Sequence, residues 1–389
     1  MGQFRFLTAG ESHGKGLVAI SEGMVADLRL EERYITRELK RRQQGYGRGP
    51  RMKIEDDKVE IIAGVRYGLT TGSPIALFIT NRDWQNWQEE LSVWPVGKEA
   101  EPVTCPRPGH ADLAGVTKYG LEDIRPIIER ASARETAARV AVGAIARRFL
   151  EELGIDIHSY TVAIGEHRWE PKQRGRIDWR EVEASPVRCG SARLERAMMA
   201  AIDQAKADGD TLGGVFEVIT TGVPIGLGSH VSWDRRLDGR IARAIMSINA
   251  VKGVEIGAGF ALAGLKGSQA HDVIEPTPHG ETEGLPWRHA TNRAGGIEGG
   301  MSNGEDIIVR AAVKPIATLA SPLSSVELRT GKTTKAYYER SDICVVPAAG
   351  VIGEAMLAIV LADACLEKFG GDNLKETLVN YRNYLRDIP

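Results

Sequence analysis

Short β-prone runs bounded by glycine open the chain: Leu17–Ile20, Val59–Val65 and Pro74–Thr80 predict strands. Between the first two, Tyr34, Ile35 and Leu39 fall at helical spacing and predict a helix over about Glu31–Gln44. The strongest helical signal runs from about Ser132 to Leu153. It is alanine-rich, carries Glu135 in its first turn and Arg147 and Arg148 near its end, and stops at Gly154. Ile155–Ile164 and Val215–Thr220 read as strands. Ala192–Ala207, Arg236–Ile248, Gly353–Phe369 and Leu374–Leu385 read as helices. Three stretches lack periodicity. Residues 81–106, with Trp84, Trp87 and Trp94 among polar neighbours, predict an exposed excursion or interface loop. Residues 165–190 predict polar surface. Residues 267–304, rich in Gly, His, Glu and Thr, predict a long loop, a feature usually functional or mobile.

One internal echo stands out: Thr70-Thr71-Gly72-Ser73-Pro74-Ile75-Ala76-Leu77 recurs as Thr220-Thr221-Gly222-Val223-Pro224-Ile225-Gly226-Leu227. Two related halves, about 1–150 and 151–389 of one domain spanning 1–389, would explain it. A shared turn-to-strand solution explains it equally well.

Composition changes the picture little. The 389 residues are 42% hydrophobic and 26% charged with a net charge of −2, which is ordinary globular material and argues against a nucleic-acid binder. No apolar run reaches the roughly 18 residues of a membrane span. The four cysteines are far apart without a CxxC pair, as expected of reduced thiols in a cytoplasmic protein. The 44 glycines predict tight turns and backbone amides exposed to anions.

The chemistry gathers in a few segments. Arg107-Pro108-Gly109-His110-Ala111-Asp112 and Glu129-Arg130-Ala131-Ser132-Ala133-Arg134-Glu135-Thr136 place a histidine, a hydroxyl and arginines around turns and a helix start. Helix N-termini and arginines bind phosphate, and a histidine beside an anion can exchange a proton near pH 7. Gly10-Glu11-Ser12-His13-Gly14 adds a second glycine-flanked histidine. Arg33 to Lys53 holds eight cations and, after its first residue, the single acid Glu38. Arg33, Arg37 and Arg41 suit a solvated helix face. Arg42, Arg48 and Arg51 suit an anion, and Arg48, in a glycine loop, is expected to bury little. RNA is a rival ligand, but no aromatic platform accompanies the run. Gly295 to Gly304 exposes backbone for a flat ring or a phosphate. Lys314 to Thr318 offers a cation and a hydroxyl, and Arg340-Ser341-Asp342 offers either an ion pair or an acid–base carboxylate. Phosphate-loop, dinucleotide and zinc-hydrolase spacings all fail.

Taken together and in this order, these segments, with Val251 to Gly257, resemble the chorismate synthase family over nearly the whole chain. The resemblance implies an α+β fold, a β-α-β sandwich with pseudo-two-fold internal symmetry and long functional loops, assembled as a homotetramer. It implies a lyase that turns 5-enolpyruvylshikimate 3-phosphate into chorismate and phosphate by anti 1,4-elimination and needs reduced FMN. By similarity, His13 protonates the departing phosphate, His110 steadies the reduced flavin, and Asp342 takes part in proton removal. Arg42, Arg48, Arg130, Ala131, Ser132, Asn249, Ala250, Gly299, Lys314, Pro315, Ile316, Ala317, Thr318 and Arg340 are expected around the cofactor, with Arg42 and Arg48 matching positions for NADP or substrate phosphate. Arg48, Arg51 and Arg134 are expected to face the substrate. NADPH or an external flavin reductase is the expected source of electrons. The competing activity is a flavin-dependent oxidoreductase acting on a phosphorylated small molecule, which would consume reductant stoichiometrically.

Overall fold

The computed structural model describes residues 4–49, 54–97, 100–169, 177–277 and 286–388. Its frame is two antiparallel sheets with two long helices between them. The first half contributes β1 (Arg5–Ala9), β2 (Gly16–Glu22), α1 (Glu32–Gln43), β3 (Val59–Ala63), β4 (Ile75–Thr80) and α2 (Thr136–Glu152). The second contributes β5 (Asp156–Ile164), β6 (Gly214–Thr221), α3 (Leu237–Met246), β7 (Val251–Ile256), β8 (Ile307–Val313) and α4 (Val346–Phe369).

The sheets share one strand order. The first runs β1-β2-β4-β3, and the second, apart from a two-residue edge at His167–Arg168, runs β5-β6-β8-β7. In each half a helix follows the second strand and another follows the fourth. The echo does not mark this arrangement. Its first copy precedes β4, a fourth strand, and its second leaves β6, a second strand. What the copies share is a turn with glycine in the left-handed region, Gly72 at φ 78° and Gly222 at φ 75°.

Period-two patterning assigns the faces of the first sheet. Leu17 and Ala19 of β2 and Ile75, Leu77 and Ile79 of β4 turn inward, whereas Val18 and Ile20 face out. Helix α2 rests on β2 and β4, α4 rests on β5 and β6, and the two helices pack against each other. Gly143 of α2 makes their close approach possible: a Cβ there would stand 2.6 Å from the Ala355 Cα. Helix α4 is buried on almost every side, so no periodicity marks its start, which lies ahead of the predicted Gly353. It is long and apolar enough by composition to cross a membrane, contrary to the run-length expectation, yet 94% of that stretch is buried inside the protein.

Two aperiodic segments carry more structure than their patterns predict. Within 165–190, Trp169, Val182, Val187 and Cys189 are core residues. Within 267–304, the described residues form two small hairpins, Ile274–Pro276 with Trp287–His289 and Ile297–Glu298 with Met301–Ser302. His289 is packed between Glu298 and Glu305, at 3.2 and 3.4 Å.

Candidate active site

The connections at one end of this frame converge on a cavity of about 410 Å³, a size ordinary for a small-molecule site. The β1–β2 turn brings Ser12 and His13. The end of α1 and its glycine loop bring Arg42, Arg48 and Gly49. Residues just ahead of α2 bring Ala131, Ser132, Ala133 and Arg134, and those just ahead of α4 bring Glu339 to Asp342 and Val345. Both helix N-termini, with their partial positive charge, therefore border the cavity. Arg107, Gly109 and His110, Asn249 and Ala250, and Lys314 with Ile316 to Thr318 complete the wall.

Each histidine is held by a buried carboxylate. Glu129 Oε1 meets His13 Nδ1 at 2.9 Å, and Glu129 Oε2 accepts the His13 backbone N–H at 2.7 Å. Trp87 stacks on the His13 ring with centroids 4.3 Å apart. Trp87 thus belongs to the site, although its segment reads as an exposed excursion. Asp112 Oδ1 bonds His110 Nδ1, and Asp112 also accepts from Arg107 Nε at 2.8 Å and from the Arg107 backbone N–H at 3.0 Å. Burial alone would raise the Asp112 carboxyl, but the bonds from His110 and Arg107 outweigh it and hold it well below the usual range. An ionised Asp112 accepts from a protonated His110 Nδ1, which Arg107 Nη2 also approaches at 3.0 Å. Glu129 shows the same balance, with burial opposed by His13 and Arg125 and the net shift downward.

The cations form a second layer of the site. Arg134 donates to Asn81 Oδ1 at 2.9 Å and Asp57 Oδ1 at 2.5 Å, with Glu55 at 3.7 Å. Arg42 donates to Thr136 Oγ1 and to the Ala133 carbonyl, both at 2.9 Å, and reaches Asp57 at 3.6 Å. Arg42 Nη1 and Arg134 Nη2 are buried and have no hydrogen-bond acceptor among the described residues. Burial, with Arg134 and Arg48 nearby, outweighs the opposing Asp57 and Asp342 and pulls the Arg42 guanidinium down to about 9. It stays charged at neutral pH. Crowded cations with unsatisfied N–H groups are a standing demand for an anion. Lys314 donates to the Gly109 carbonyl at 2.7 Å, and its pKa is lowered by burial and by Lys252.

Asp342 pairs with Arg48 Nε at 3.2 Å and accepts the Gly49 backbone N–H at 2.6 Å, so its ion pair is with Arg48 and not with adjacent Arg340. The Arg48 side chain is only 9% exposed, against the expectation of a loosely held loop residue. Arg130 is also redirected. It donates to the Gly10 and Thr8 carbonyls at 3.1 and 2.9 Å and clamps the end of β1 instead of lining the cavity. Gly299, in the turn between Glu298 and Met301, and Pro315 are not in the wall either. Arg51 lies outside the described residues. Glu129, Asp57 and Asn81 escape the sequence reading because each acts through a partner distant in the chain, and Trp87 because its context is ordinary and polar, whereas Asp112 stands in the His110 segment but its role as the partner of that histidine was not assigned.

The wall fits a phosphate-bearing flat cofactor. Ala131, Ala250, Ile316 and Ala317 offer small or apolar surface, and Arg107 ties Thr318 Oγ1 at 3.0 Å. Asn249 donates to the Ala131 carbonyl at 2.9 Å, while its buried Oδ1 lacks a donor among the described residues. Ala250 adopts φ 67°, a left-handed conformation uncommon for alanine and frequent at functional sites.

Comparison with known proteins agrees with this geometry. The family model for chorismate synthase matches residues 4–366. A chorismate synthase of Moorella thermoacetica is 57% identical, covering 99% of this chain and 100% of the relative. That of Aquifex aeolicus is 53% identical, covering 99% and 98%. A crystal structure of a chorismate synthase aligns with a TM-score of 0.79 at 45% identity, over 99% of this chain and 98% of the other. The chain belongs to the chorismate synthase family.

Proposed function

We propose that the cation-lined cavity is where this lyase binds 5-enolpyruvylshikimate 3-phosphate beside reduced FMN and expels phosphate to give chorismate. The observation that supports this most is the convergence of two carboxylate-held histidines and six cations, Arg42, Arg48, Arg107, Arg134, Lys314 and Arg340, on one wall. A phosphate and two carboxylates need that much positive charge to leave water.

In the elimination, a proton leaves one end of a four-carbon array, the freed C–H electron pair forms a new ring double bond, the double bond already in the array shifts by one position, and phosphate leaves the other end with the C–O electron pair. Reduced FMN, when bound, supplies electron density as the phosphate departs and helps remove the ring proton. His13 protonates the departing phosphate. Asp342, fixed by Gly49 and Arg48, handles the ring proton. His110, held by Asp112, would steady the negative charge of the bound cofactor. Arg134 and Arg48 hold the substrate anions, with Arg51 expected beside them. Arg42, Lys314, Arg340, Asn249 and the 131–132, 250 and 316–318 walls hold the cofactor. The same reading includes a homotetramer in the cytoplasm, with NADPH or an external flavin reductase as electron source. The four free cysteines suit a reducing compartment.

Arg48→Ala tests the anion role. Losing one charge-assisted contact, roughly 1.5–3 kcal/mol, raises the substrate KM about tenfold or more. Burial of Arg48 predicts a smaller, simultaneous loss of Tm. A lower Tm with an unchanged KM would contradict the assignment.

A further inference from the structure

We infer that Glu129 is the positioning residue for His13: it fixes the ring's proton on Nδ1, directs Nε2 to the reaction, and supplies the counter-charge for the imidazolium. The inference rests on the proposed role of His13 and adds a residue to it.

Glu129 touches His13 at two points, through the backbone N–H at 2.7 Å and the ring Nδ1 at 2.9 Å. Its main-chain carbonyl also accepts the Ser12 N–H at 3.1 Å. The helix Arg125–Ala131 therefore holds both the backbone and the ring of the histidine turn. The Glu129 side chain is fully buried, so it does not meet a ligand itself and reaches the site through His13.

The surrounding charges leave Glu129 available for this task. Arg125 reaches Glu129 Oε1 at 3.3 Å, but its better bonds go to Glu339 Oε1 at 2.9 Å and the Tyr337 hydroxyl at 2.8 Å. Arg125 also lies over the Trp87 ring, 5.2 Å from its centroid, and the same ring stacks on His13. From its own turn, the charged neighbours of His13 are Glu11 and Lys15. Trp87 covers a face of the imidazole, which limits the water that would otherwise screen the Glu129 charge. His110 with Asp112 repeats the device on the opposite segment.

The test is Glu129→Gln, with Glu129→Asp as the charge-retaining control. A glutamine has one acceptor oxygen, so its amide must oppose either the His13 backbone N–H or Nδ1–H. Protein carrying histidine labelled at the ring Cε1 is titrated by NMR, and the His13 signal is assigned by its absence in His13→Gln. The His13 midpoint should fall by about one unit or more in E129Q and stay near the wild-type value in E129D. The alkaline limb of the kcat/KM profile should move to lower pH by the same amount. An unmoved His13 midpoint in E129Q overturns the inference. If E129Q does not fold, a His13 midpoint in E129D that drops by as much as a full unit overturns it instead, because charge is then not what Glu129 supplies. A moved midpoint with an unmoved kcat/KM profile supports Glu129 as the partner while removing His13 as the proton donor.

Discussion

Alanine at His13 or at His110 is expected to cut turnover by about 10²–10⁴-fold, the usual size of a proton-transfer or charge-stabilising contribution from one side chain. The two losses should differ in kind. His13 is tied to Glu129 and Trp87, and His110 to Asp112 and Arg107, so the pairs share no partner. His13→Ala should lower kcat at every pH where the wild-type ring is protonated and should leave cofactor affinity nearly unchanged. His110→Ala should weaken reduced-FMN binding as well as kcat. Steady-state rates with chemically reduced FMN, together with FMN titrations, separate the two. A variant with near wild-type turnover removes that histidine from the chemistry. Tm serves as the control, because each substitution also releases a buried carboxylate.

The second large effect concerns stability. Glu354→Ala is expected to destabilise the fold by about 3–5 kcal/mol, because it strands buried charge. Glu354 lies inside α4 and is 1% exposed. Its Oε2 accepts from Arg41 at 2.7 Å and Arg147 at 2.6 Å. Its Oε1 accepts from Ser159 at 2.6 Å, Arg41 at 3.0 Å and Arg188 at 3.2 Å. Glu38 and Glu183 balance the remaining charge. Burial alone would raise the Glu354 carboxyl, but the three arginines reverse this and hold it well below the usual range. A depressed carboxyl adds stability that is complete above its unfolded value, about 4.3, and is lost as the pH falls below that toward the folded value. Denaturant unfolding from pH 7 down to pH 3 should therefore show a steep acid loss in the wild type and a flatter curve in Glu354→Ala. A penalty below about 1 kcal/mol at pH 7 would mean that solvent or rearrangement satisfies the three arginines.

This network shows where sequence reading succeeds and where it stops. The basic run after Glu32 is plain in the sequence, but its division is not. Arg33 and Arg37 are solvent-facing, Arg41 enters the Glu354 network, and Arg42, its neighbour, points to the cavity. Adjacent helical positions diverge by roughly 100°, and what each meets is set by α4 and α2, far away in the chain. Helix α4 hides its first turns for a related reason: Gly350 and Gly353 pack against Ser159 and Phe216, and an all-round apolar helix has no polar side to give it a period. Helices α1 and α3 were legible because each buries one face, α2 through its alanine-rich run with charged ends, and β2 to β6 through β-prone runs bounded by turn residues. Glycine-flanked histidines and clustered arginines were legible because their chemistry leaves local marks. Glu129 and Asp57 act across the fold, and Arg130 turns outward to Thr8 although its sequence context matches a site residue.

The central claim is that this cavity eliminates phosphate without net redox change. The most direct measurement is an anaerobic reaction of the protein with chemically reduced FMN and 5-enolpyruvylshikimate 3-phosphate, following chorismate, phosphate and reduced flavin together. Equal amounts of chorismate and phosphate are expected, with many turnovers per flavin and flavin still reduced at the end. Oxidation of one flavin per product, or no product from folded protein that binds FMN, would contradict it and favour the oxidoreductase.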